Sequence, residues 1–535
     1  MTSAFAAEHL LFTPAVPSES AIATIFAFPN EYTVGITSLG YQIVWATLAS
    51  RTDVQVSRLF TDIHEPLPLR PELVGFSFSW ELDYVNILSL LERLEIPVRA
   101  MARSDDHPLV FGGGSVLTAN PEPLADFFDV ILLGDGETLL EDFINAFQQV
   151  RHADRSTQLR HLAQVPGIYV PSLYAVTYES TEGNISAIEA IAGIPAQVQR
   201  QTYRSNILSA STVVTEKAAW ESIFMVEVVR SCPEMCRFCL ASYLTLPFRV
   251  ASLEGSLIPA IARGLKVTNR LGLLGASVTQ HPEFETLLDH LNQPQYDDVR
   301  LSLASVRTNT VTEKLAQTLV KHQSRSITIA VESGSDRLRQ IVNKKLTNDE
   351  ITQAAINTKA GGLSALKLYG MVGIPGEEWD DLEQTVIMMR NLKKAAPGLR
   401  LTLGCSTFVP KAHTPFQWFG VSPEAEKRLK FLQKQLRPQG IDFRPESYNW
   451  SVIQALISRG DRRLSHLLEQ VRHYGDTLGS YRRAFKELRG TLPELDFYVH
   501  ADWSTDQILP WSHLQGTLPQ ATLVKHRDAA LAIPA

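Results

Sequence analysis

Three of the four cysteines of this chain lie in one short stretch, SCPEMCRFCLASYLTLPFR. Cys232, Cys236 and Cys239 follow the spacing C-x3-C-x2-C. A tetrahedral zinc ion or a 4Fe-4S cube normally takes four protein ligands. Three closely spaced thiolates therefore indicate an iron–sulfur cube that keeps one iron for a ligand other than protein. The alternative interpretation is three buried structural cysteines in a reducing cytosol.

The same stretch resembles the defining motif of the radical SAM superfamily, C-x3-C-x-aromatic-C, with Phe238 in the aromatic slot. In that family the open iron is chelated by the amino and carboxylate groups of S-adenosyl-L-methionine (SAM). The resemblance implies that Cys232, Cys236 and Cys239 hold the metal cluster and that Phe238 contributes to the SAM site. Cys405 is expected to be a small buried strand residue, because a fourth protein ligand would prevent SAM from binding.

Composition and length favour a multidomain cytoplasmic enzyme. The chain has 535 residues, 44% of them hydrophobic, and a formal net charge of −7. These values suggest about two to four domains and no strong nucleic-acid signature. Four cysteines, three of them clustered, do not form a disulfide framework. We expect no membrane span and no export signal, because no apolar run is long enough and the N-terminus lacks a basic and apolar leader.

Strand and helix patterns alternate over residues 221–425. This alternation predicts a parallel (β/α)6 barrel, an incomplete relative of the eight-fold TIM barrel, with its active site at the carboxyl ends of the strands. The cysteine loop follows the first strand and falls at that face. The predicted strands are Met225–Arg230, Arg270–Ala276, Val299–Arg307, Ser326–Gly334, Ala365–Pro375 and Leu399–Pro410.

Several of these strand ends resemble positions at which the family contacts SAM. The second strand lacks the glutamate of the family's Gly-Gly-Glu-like sequence, so a serine or backbone carbonyls would receive the methionine amino group. The fourth strand ends in a carboxylate, and the fifth ends in a turn that resembles the adenine contact. The residues assigned to SAM in this way are Gly275, Ala276, Ser277, Glu332, Ser333, Gly373, Pro375 and Gly376.

Alternatives stay open at these strand ends. The segment after Glu332 also fits a helix N-cap supplied by Ser333 or Ser335. Nearby cations, Arg337 and Arg339, either meet the SAM carboxylate or form a solvated helix face. Two residues of the fifth strand, Lys367 and Tyr369, point either into the barrel or into the packed wall.

The motifs GLLGASV, ESGSDRLRQIVNKKLT, KLYGMVGIPGE, FVPKAHTPFQW and RGDRR resemble one uncharacterised group of radical SAM proteins, which has no assigned substrate. We expect the loop after the sixth strand to be exposed, with candidate substrate contacts at Lys411, His413, Gln417 and Trp418. The alternative is a structured loop that caps the barrel mouth. The RGDRR motif, residues 459–463, predicts the start of a basic, solvated helix, or a segment that closes over a negatively charged substrate.

Residues 1–150 alternate strands and helices in the manner of a parallel, Rossmann-like sheet. The pieces VGFSFS, FGGGSVLTANPEPLAD and DVILLGDGE resemble the cobalamin (B12)-binding-type domain found ahead of many radical SAM cores. The D-x-H-x-x-G ligand signature is absent, and His64 is expected to be a surface residue. The alternative is a domain that binds no cofactor. Residues expected at a cobalamin edge are Ser77, Gly112, Gly113, Gly114, Gly134, Gly136 and Glu137.

The predicted fold class is therefore α/β, with a Rossmann-like domain and a partial (β/α)6 TIM barrel. We expect a Rossmann-like domain over residues 1–150, a β-rich connector over 151–220, a radical SAM core barrel over 221–425 and a mainly helical region over 426–535. Since no cysteine precedes Cys232 and only Cys405 follows Cys239, we expect a single cluster.

The main functional hypothesis is a radical SAM enzyme that uses its 4Fe-4S cluster to cleave SAM reductively and generate a 5′-deoxyadenosyl radical. If cobalamin binds, C-methylation is the expected outcome. The alternatives are a radical SAM enzyme without cobalamin, which modifies RNA or a small molecule, and a non-catalytic iron–sulfur or cobalamin sensor. The enzyme would need a reducing partner such as flavodoxin or ferredoxin. The sequence does not name the substrate.

Overall fold

The computed structural model describes residues 4–304 and 306–534. The chain divides into two compact units. Unit 1 comprises Met1–Tyr203, Ser211–Ser222 and Ile453–Thr517, whereas unit 2 comprises Arg204–Ala210, Ile223–Val452 and Leu518–Ala535. The predicted boundaries differ from these. Most of the predicted connector belongs to unit 1, and the predicted C-terminal region 426–535 is divided between the two units, because tertiary packing rather than chain order decides where those helices lie.

Unit 1 is built on a six-stranded sheet. Its first five strands are parallel and the last is antiparallel. Most strand positions are buried, as expected for a sheet with helices on both faces, and this explains the near-continuous apolar runs in the sequence. In spatial order the strands are Val54–Leu59, Ile22–Ala27, Leu73–Ser77, Leu109–Gly113, Val130–Leu132 and Ile168–Tyr169.

Helices and short strand pairs complete unit 1. The α-helices are Tyr32–Gly35, Leu39–Ala49, Tyr84–Arg93, Ser115–Ala119, Gly136–Val150, Arg155–Leu162, Leu464–Tyr474, Leu478–Glu487 and Leu495–Val499. The strand pairs are Tyr174–Tyr178 with Ile185–Ala190, His9–Leu10 with Val213–Val214, and Val198–Gln199 with Leu514–Gln515. The prediction of a Rossmann-like first domain is confirmed.

The RGDRR motif is a buried ionic centre of unit 1, so the prediction of a solvated helix is wrong. Arg459 is 0% exposed and donates to the carbonyl oxygens of Tyr498, Val499 and Ala501. Its guanidinium lies 3.8 Å from the ring centroid of Trp503. Burial lowers the pKa of Arg459 to about 9.

The neighbouring arginines of this motif also form ion pairs. Arg462 binds the buried carboxylate of Glu122 at 3.1 Å and donates to the Tyr169 hydroxyl at 2.8 Å. Arg463 pairs with Asp461 at 2.6 Å. A run of charges looks solvated in a sequence because its acidic and carbonyl partners lie elsewhere in the chain, so only the fold reveals them.

Unit 2 contains a three-stranded and a four-stranded parallel sheet, and a parallel bridge between Val306 and Ile329 joins them. Together they form the barrel wall. Among the described residues this wall has one more strand than the predicted (β/α)6 pattern, because Asp442–Pro445 pairs with the sixth strand. In order, the strands are Ile223–Glu227, Arg270–Leu274, Arg300–Leu303, Ser326–Glu332, Ala365–Val372, Arg400–Thr407 and Asp442–Pro445.

Helices cover the outer face of this wall and begin at good caps. Thr347 and Glu350 form a reciprocal capping box at the start of Asn348–Ala360, and Thr312 caps Glu313–Lys321. The helix Tyr448–Arg459 contains the chain position at which unit 2 gives way to unit 1. The other α-helices are Leu240–Leu244, Ile258–Gly264, Phe284–Leu291, Asp336–Ile341, Trp379–Ala395, Ala425–Leu436 and Gln520–Leu531.

The first barrel strand is shorter than predicted and changes partner. Ile223–Glu227 pairs in parallel with Arg270–Leu274, and then Val229–Arg230 turns to pair antiparallel with Arg249–Val250. This small hairpin carries the cysteine loop at its tip. In the described part of the chain, no helix is long and apolar enough to cross a membrane.

Candidate active site

The cysteine loop begins after the end of the first barrel strand. Two of its residues adopt backbone conformations that residues other than glycine rarely adopt. Ser231 has φ 71° and Met235 has φ 56°, both in the left-handed region. Such conformations cost energy in non-glycine residues and persist where the surroundings enforce them. The enforcing contact is Asn343, whose side-chain amide donates to the carbonyls of Glu234 at 3.1 Å and Met235 at 2.9 Å.

The three cysteines of the loop are free thiols with different exposures. Cys236 is buried, and Cys232 and Cys239 are half-buried. Burial raises the pKa of Cys236 to about 12, against the opposing charge of Lys344, and burial also raises the pKa of Cys239. Metal binding requires thiolates, so loading a cluster here must release protons.

These residues fit a 4Fe-4S cluster that has three protein ligands. In the described ranges, 4–304 and 306–534, no three His, Cys, Asp or Glu side chains converge on a point suited to a single ion. A cube does not need that convergence, because each thiolate binds a different iron. Thiol donors held in a buried loop match the preference of iron–sulfur clusters.

Cys405 takes no part in this loop. It lies 2% exposed in the strand Arg400–Thr407, where it is paired in register with Gly370 and Pro445. This is the buried strand position expected from the sequence. The cysteine loop therefore offers three thiols, and an open fourth corner on a cube bound there stays a prediction.

Phe238 supports the cysteine loop by packing. Its ring packs against a buried cluster that includes Leu338, Phe408 and Phe416. The backbone of Arg237 reinforces this packing, because its N–H donates to the Val342 carbonyl at 2.9 Å. The side chain in the aromatic slot of the motif thus anchors the cysteine loop to the barrel wall.

The loop after the sixth strand forms part of that same wall, so the expectation of an exposed substrate loop is wrong. His413 is 8% exposed, Gln417 2% and Trp418 0%, while Lys411 is half-buried. The Gln417 side-chain oxygen accepts from the His413 backbone N–H at 2.8 Å. The aromatic residues of this loop are buried, which favours the alternative of a structured loop.

A carboxylate between the first two cysteines ties the loop to its neighbours. Glu234 pairs with Arg307 at 2.9 Å and accepts from the Gln280 amide at 2.6 Å. Gln280 in turn is hydrogen bonded to Ser277. The predicted SAM segment Gly275–Ser277 is therefore joined to the cysteine loop, with Ser277 buried and Ala276 exposed. The sequence analysis missed Glu234, because an acidic residue in a loop carries no pattern of its own.

Glu332 lies at the end of the fourth strand with φ 64°, beside a register shift in the ladder. Its carboxylate lies 3.1 Å from the ammonium of Lys344. Burial opposes the charge on Lys344, but Glu332 and Cys236 raise its pKa above the ordinary value. A cation is thus held next to the cysteine loop. Lys344 was missed because its signal, the segment NKK after a short helix, resembles any exposed turn.

The other polar groups after Glu332 serve local structure. The Ser335 hydroxyl caps the helix Asp336–Ile341, as one of the predicted alternatives proposed, and the Ser333 hydroxyl accepts from the Ser335 N–H at 3.1 Å. Arg339 is 0% exposed and donates to the carbonyls of Ser333 and Leu346. Both earlier hypotheses for Arg339, SAM contact and solvated face, are therefore wrong.

Arg337 likewise binds other residues of unit 2. It pairs with Asp381 and donates to the Gly376 carbonyl at 2.8 Å. The turn that contains Gly376 ends the fifth strand, and Gly373 and Gly376 both have positive φ, 74° and 79°. The Gly373 N–H donates to the buried Glu377 carboxylate at 2.6 Å.

Glu377 sets the shape of this turn. Burial raises the pKa of Glu377 to about 7, against the charge of its ion-pair partner Arg428. Pro375 and the two glycines of the turn stand at the carboxyl end of Ala365–Val372. The predicted SAM residues Glu332, Ser333, Gly373, Pro375 and Gly376 therefore all lie at carboxyl ends of barrel strands.

In unit 1, the glycines expected at a cobalamin edge approach the chain itself. A Cβ on Gly112 would lie 2.6 Å from Leu117 and Phe128, one on Gly114 would lie 2.2 Å from the Phe78 carbonyl, and one on Gly134 would lie 2.0 Å from the Gln201 carbonyl. Packing within the chain accounts for these three glycines, and the cobalamin contact expected at this edge stays a prediction. The rest of the expected edge, Ser77, Gly113, Gly136 and Glu137, lies at strand ends or in the first turn of Gly136–Val150, and His64 is exposed.

Comparisons with known proteins agree with this site. The sequence profile described as "Radical SAM proteins, N-terminal" matches residues 64–171, and the profile described as "Radical SAM superfamily" matches residues 226–389. An uncharacterised protein of Methanocaldococcus jannaschii is 26% identical over 83% of this chain and 89% of its own length. An uncharacterised methyltransferase of Pyrococcus horikoshii is 22% identical over 70% of this chain and 76% of its own.

The fold is also found in a solved structure. TsrM from Kitasatospora setae, a radical S-adenosylmethionine methyltransferase whose structure holds cobalamin and a 4Fe-4S cluster, matches with a TM-score of 0.51 and 14% identity over 74% of each chain. At that identity the match shows a shared fold. The second sequence profile covers the cysteine loop and the strand ends described above. The chain therefore carries both the N-terminal and the core domain of the radical SAM superfamily.

Proposed function

We propose that this protein is a radical SAM enzyme that modifies an unreactive carbon of its substrate inside the unit 2 barrel. The single observation that supports this most is the set of three free thiols on a strained loop at the carboxyl ends of the barrel strands, with Cys405 buried within a strand and outside that loop. A protein that only stored or sensed a cluster would have no need for three ligands rather than four.

When bound, the cluster and SAM would supply one-electron cleavage of the SAM C5′–S bond, which gives methionine and a 5′-deoxyadenosyl radical. The protein would supply binding, orientation and exclusion of water. Lys344 would hold the SAM carboxylate, because its ammonium is largely buried beside Glu332 and interacts with Cys236. Glu332 would keep that ammonium in position and accept from the SAM amino group or ribose.

The turn at Gly373–Gly376 would receive the adenine. Its backbone is open to a flat group, because a Cβ on Gly376 would meet only Ile341, at 3.4 Å. The electron must come from outside the chain, so a low-potential donor such as flavodoxin or ferredoxin is the expected partner. Phe238 would act through packing, by holding the cysteine loop against the barrel.

Anaerobic reconstitution tests this proposal. The protein would be loaded with iron and sulfide, mixed with SAM and dithionite, and assayed for 5′-deoxyadenosine and methionine. We expect both products in equal amounts, with none when Cys236 is replaced by serine. A loaded cluster that never cleaves SAM would contradict the enzyme and favour the sensor, and a chain that binds no cluster would contradict both.

A second candidate is cobalamin-dependent methylation. The observation that favours it is the fold shared with TsrM, a methyltransferase. The packing of the edge glycines in unit 1 gives no separate support to this candidate. Equilibrium dialysis of hydroxocobalamin against the full chain tests whether the protein binds cobalamin. Stoichiometric uptake would support methylation, and no uptake together with SAM cleavage would leave hydrogen abstraction alone.

A further inference from the structure

The inner face of the unit 2 barrel is unusual for its fold. In an ordinary (β/α)8 barrel, bulky branched side chains fill the interior in layers. Here the outward face of the fifth strand carries Leu366 and Leu368, both buried against helices, so the alternate residues Lys367 and Tyr369 face inward. Both are exposed, Tyr369 to 51%. The interior is therefore open at this strand.

Neighbouring strands keep this space free. Tyr369 is flanked in register by Ala330 on one side and Gly404 on the other, the smallest side chains available. A Cβ added to Gly404 would lie 3.3 Å from the Tyr369 ring, so the ring lies against the bare backbone of that glycine. One ring face covers the glycine, and the exposed area of Tyr369 offers a flat apolar surface to a ligand.

Two cations stand deeper on the same inner face. Lys367 is two residues before Tyr369, about 7 Å further from the carboxyl ends. Arg400 is the register partner of Ala365, which places it diagonally from Lys367 at about 7–8 Å. Both are exposed, and in the part of the chain that the structure describes neither side chain makes a hydrogen bond or an ion pair.

The rest of this inner face does not neutralise them. Asp442 on the last strand is already paired with Arg444 at 2.7 Å. Arg300, at the start of the third strand, is a further exposed cation. An anionic ligand would offset the repulsion between Lys367 and Arg400.

We infer that the inner face of this barrel binds a small substrate that carries a carboxylate or a phosphate, held by Lys367 and Arg400, and a planar ring, stacked on Tyr369. This inference deepens the proposed function and rests on it for the identity of the reaction. Glu332, beside the cysteine loop, is paired in register with Gly370, one residue beyond Tyr369. The ring would thus lie next to the reacting end of SAM, and the anion would lie deeper.

Calorimetric titration of the cluster-loaded full chain tests the inference with defined probes: phenyl phosphate, phenylacetate and neutral benzyl alcohol. We expect an aromatic anion to bind and Lys367→Met to weaken that binding at least about tenfold, the loss typical of one charge-assisted hydrogen bond. Lys367→Arg should stay within about threefold. Lys434→Met, an exposed lysine on the helix Ala425–Leu436, is the matched control and should not change binding.

A second variant keeps the test independent of charge. Tyr369→Leu should weaken phenyl phosphate several-fold and leave inorganic phosphate unchanged, because only the ring contact is lost. Tighter binding of phenyl phosphate or of phenylacetate identifies the anion, and either outcome supports the inference. Benzyl alcohol that binds as tightly as the anions, or anion binding that does not depend on Lys367, would overturn it.

The remaining outcomes separate this inference from the proposed function. An oligouridine strand that displaces phenyl phosphate and depends on Lys367 would overturn the small-molecule assignment in favour of RNA. SAM cleavage by the wild type is assayed in parallel. Cleavage without probe binding would contradict the substrate class alone, and probe binding without cleavage would contradict the radical SAM reaction alone.

Discussion

The ammonium of Lys344 lies 3.1 Å from the carboxylate of Glu332, and both side chains are largely buried beside the cysteine loop. The pair joins the end of a barrel strand to a turn that also contributes Asn343. In the proposed reaction it would supply the cation for which Arg337 and Arg339 were the candidates in the sequence. The structure engages both of those arginines elsewhere.

Removal of this cation tests its role. We expect Lys344→Met to weaken SAM binding to the cluster-loaded protein at least about tenfold, because a charge-assisted hydrogen bond is lost and the Glu332 carboxylate is left unpaired. Lys344→Arg should retain much of the affinity. Lys359→Met, an exposed lysine on Asn348–Ala360, serves as the control. Equal SAM dissociation constants for all three variants would rule out a carboxylate contact at Lys344.

Cluster ligation is expected to depend on three cysteines and not on the fourth. Serine at Cys232, Cys236 or Cys239 should reduce bound iron from about four per chain to less than one. Cys405→Ser should load normally, because Cys405 is buried in a strand. Iron and sulfide analysis with EPR of the reduced protein measures this. Loss of the cluster in Cys405→Ser, with the fold intact, would argue for a fourth ligand.

Asn343 is expected to control how firmly the cluster is held. Asn343→Ala removes two hydrogen bonds to the cysteine loop and places alanine at φ 57°. Asn343→Gly removes the same bonds but accepts that φ. We expect iron loss to a chelator to accelerate roughly tenfold in both, and slightly more in the alanine variant. Wild-type rates in both variants would show that the loop holds its shape unaided.

Glu377 predicts a pH dependence of stability. Burial raises its folded pKa to about 7 from an ordinary value of 4.5. The stabilising contribution of protonated Glu377 to the free energy of unfolding is therefore fully present below about pH 4.5 and is lost as the pH rises through about 7. Relative to Glu377→Gln, the wild-type free energy of unfolding should fall by roughly 2–3 kcal/mol across that window. Urea denaturation at several pH values measures the difference, and a constant difference would contradict the raised pKa.

Arg459 is expected to be essential for the stability of unit 1. Its guanidinium satisfies three buried carbonyls and covers Trp503. Arg459→Met should lower the free energy of unfolding by roughly 3 kcal/mol, because those acceptors lose their donor. Arg489→Met, at a side chain that is 78% exposed, should change it by less than about 0.5 kcal/mol. Similar midpoints for the two variants would mean that water replaces the lost donor.

Some features were readable from the sequence because they depend on local order. The C-x3-C-x2-C spacing predicted the ligands of one cluster, and apolar runs alternating with helical periods predicted the parallel strands of both units. Strands such as Leu109–Gly113 were found within a residue or two because buried parallel strands need apolar side chains on both faces. The strand Asp442–Pro445 was missed, since Phe443 is the one buried residue in it.

Other features were decided by residues far apart in the chain. Glu332 and Lys344 pair across a helix and a turn, Arg462 reaches Glu122, and the loop at His413 turns inward onto aromatic residues. A sequence displays charge and hydrophobicity but not the partner that buries them. The cysteine spacing by itself predicted the radical SAM motif, whereas the tertiary structure alone decided which cations stand beside the cysteine loop and which, in the described part of the chain, make no ion pair on the fifth and sixth barrel strands, because pairing depends on distance in space.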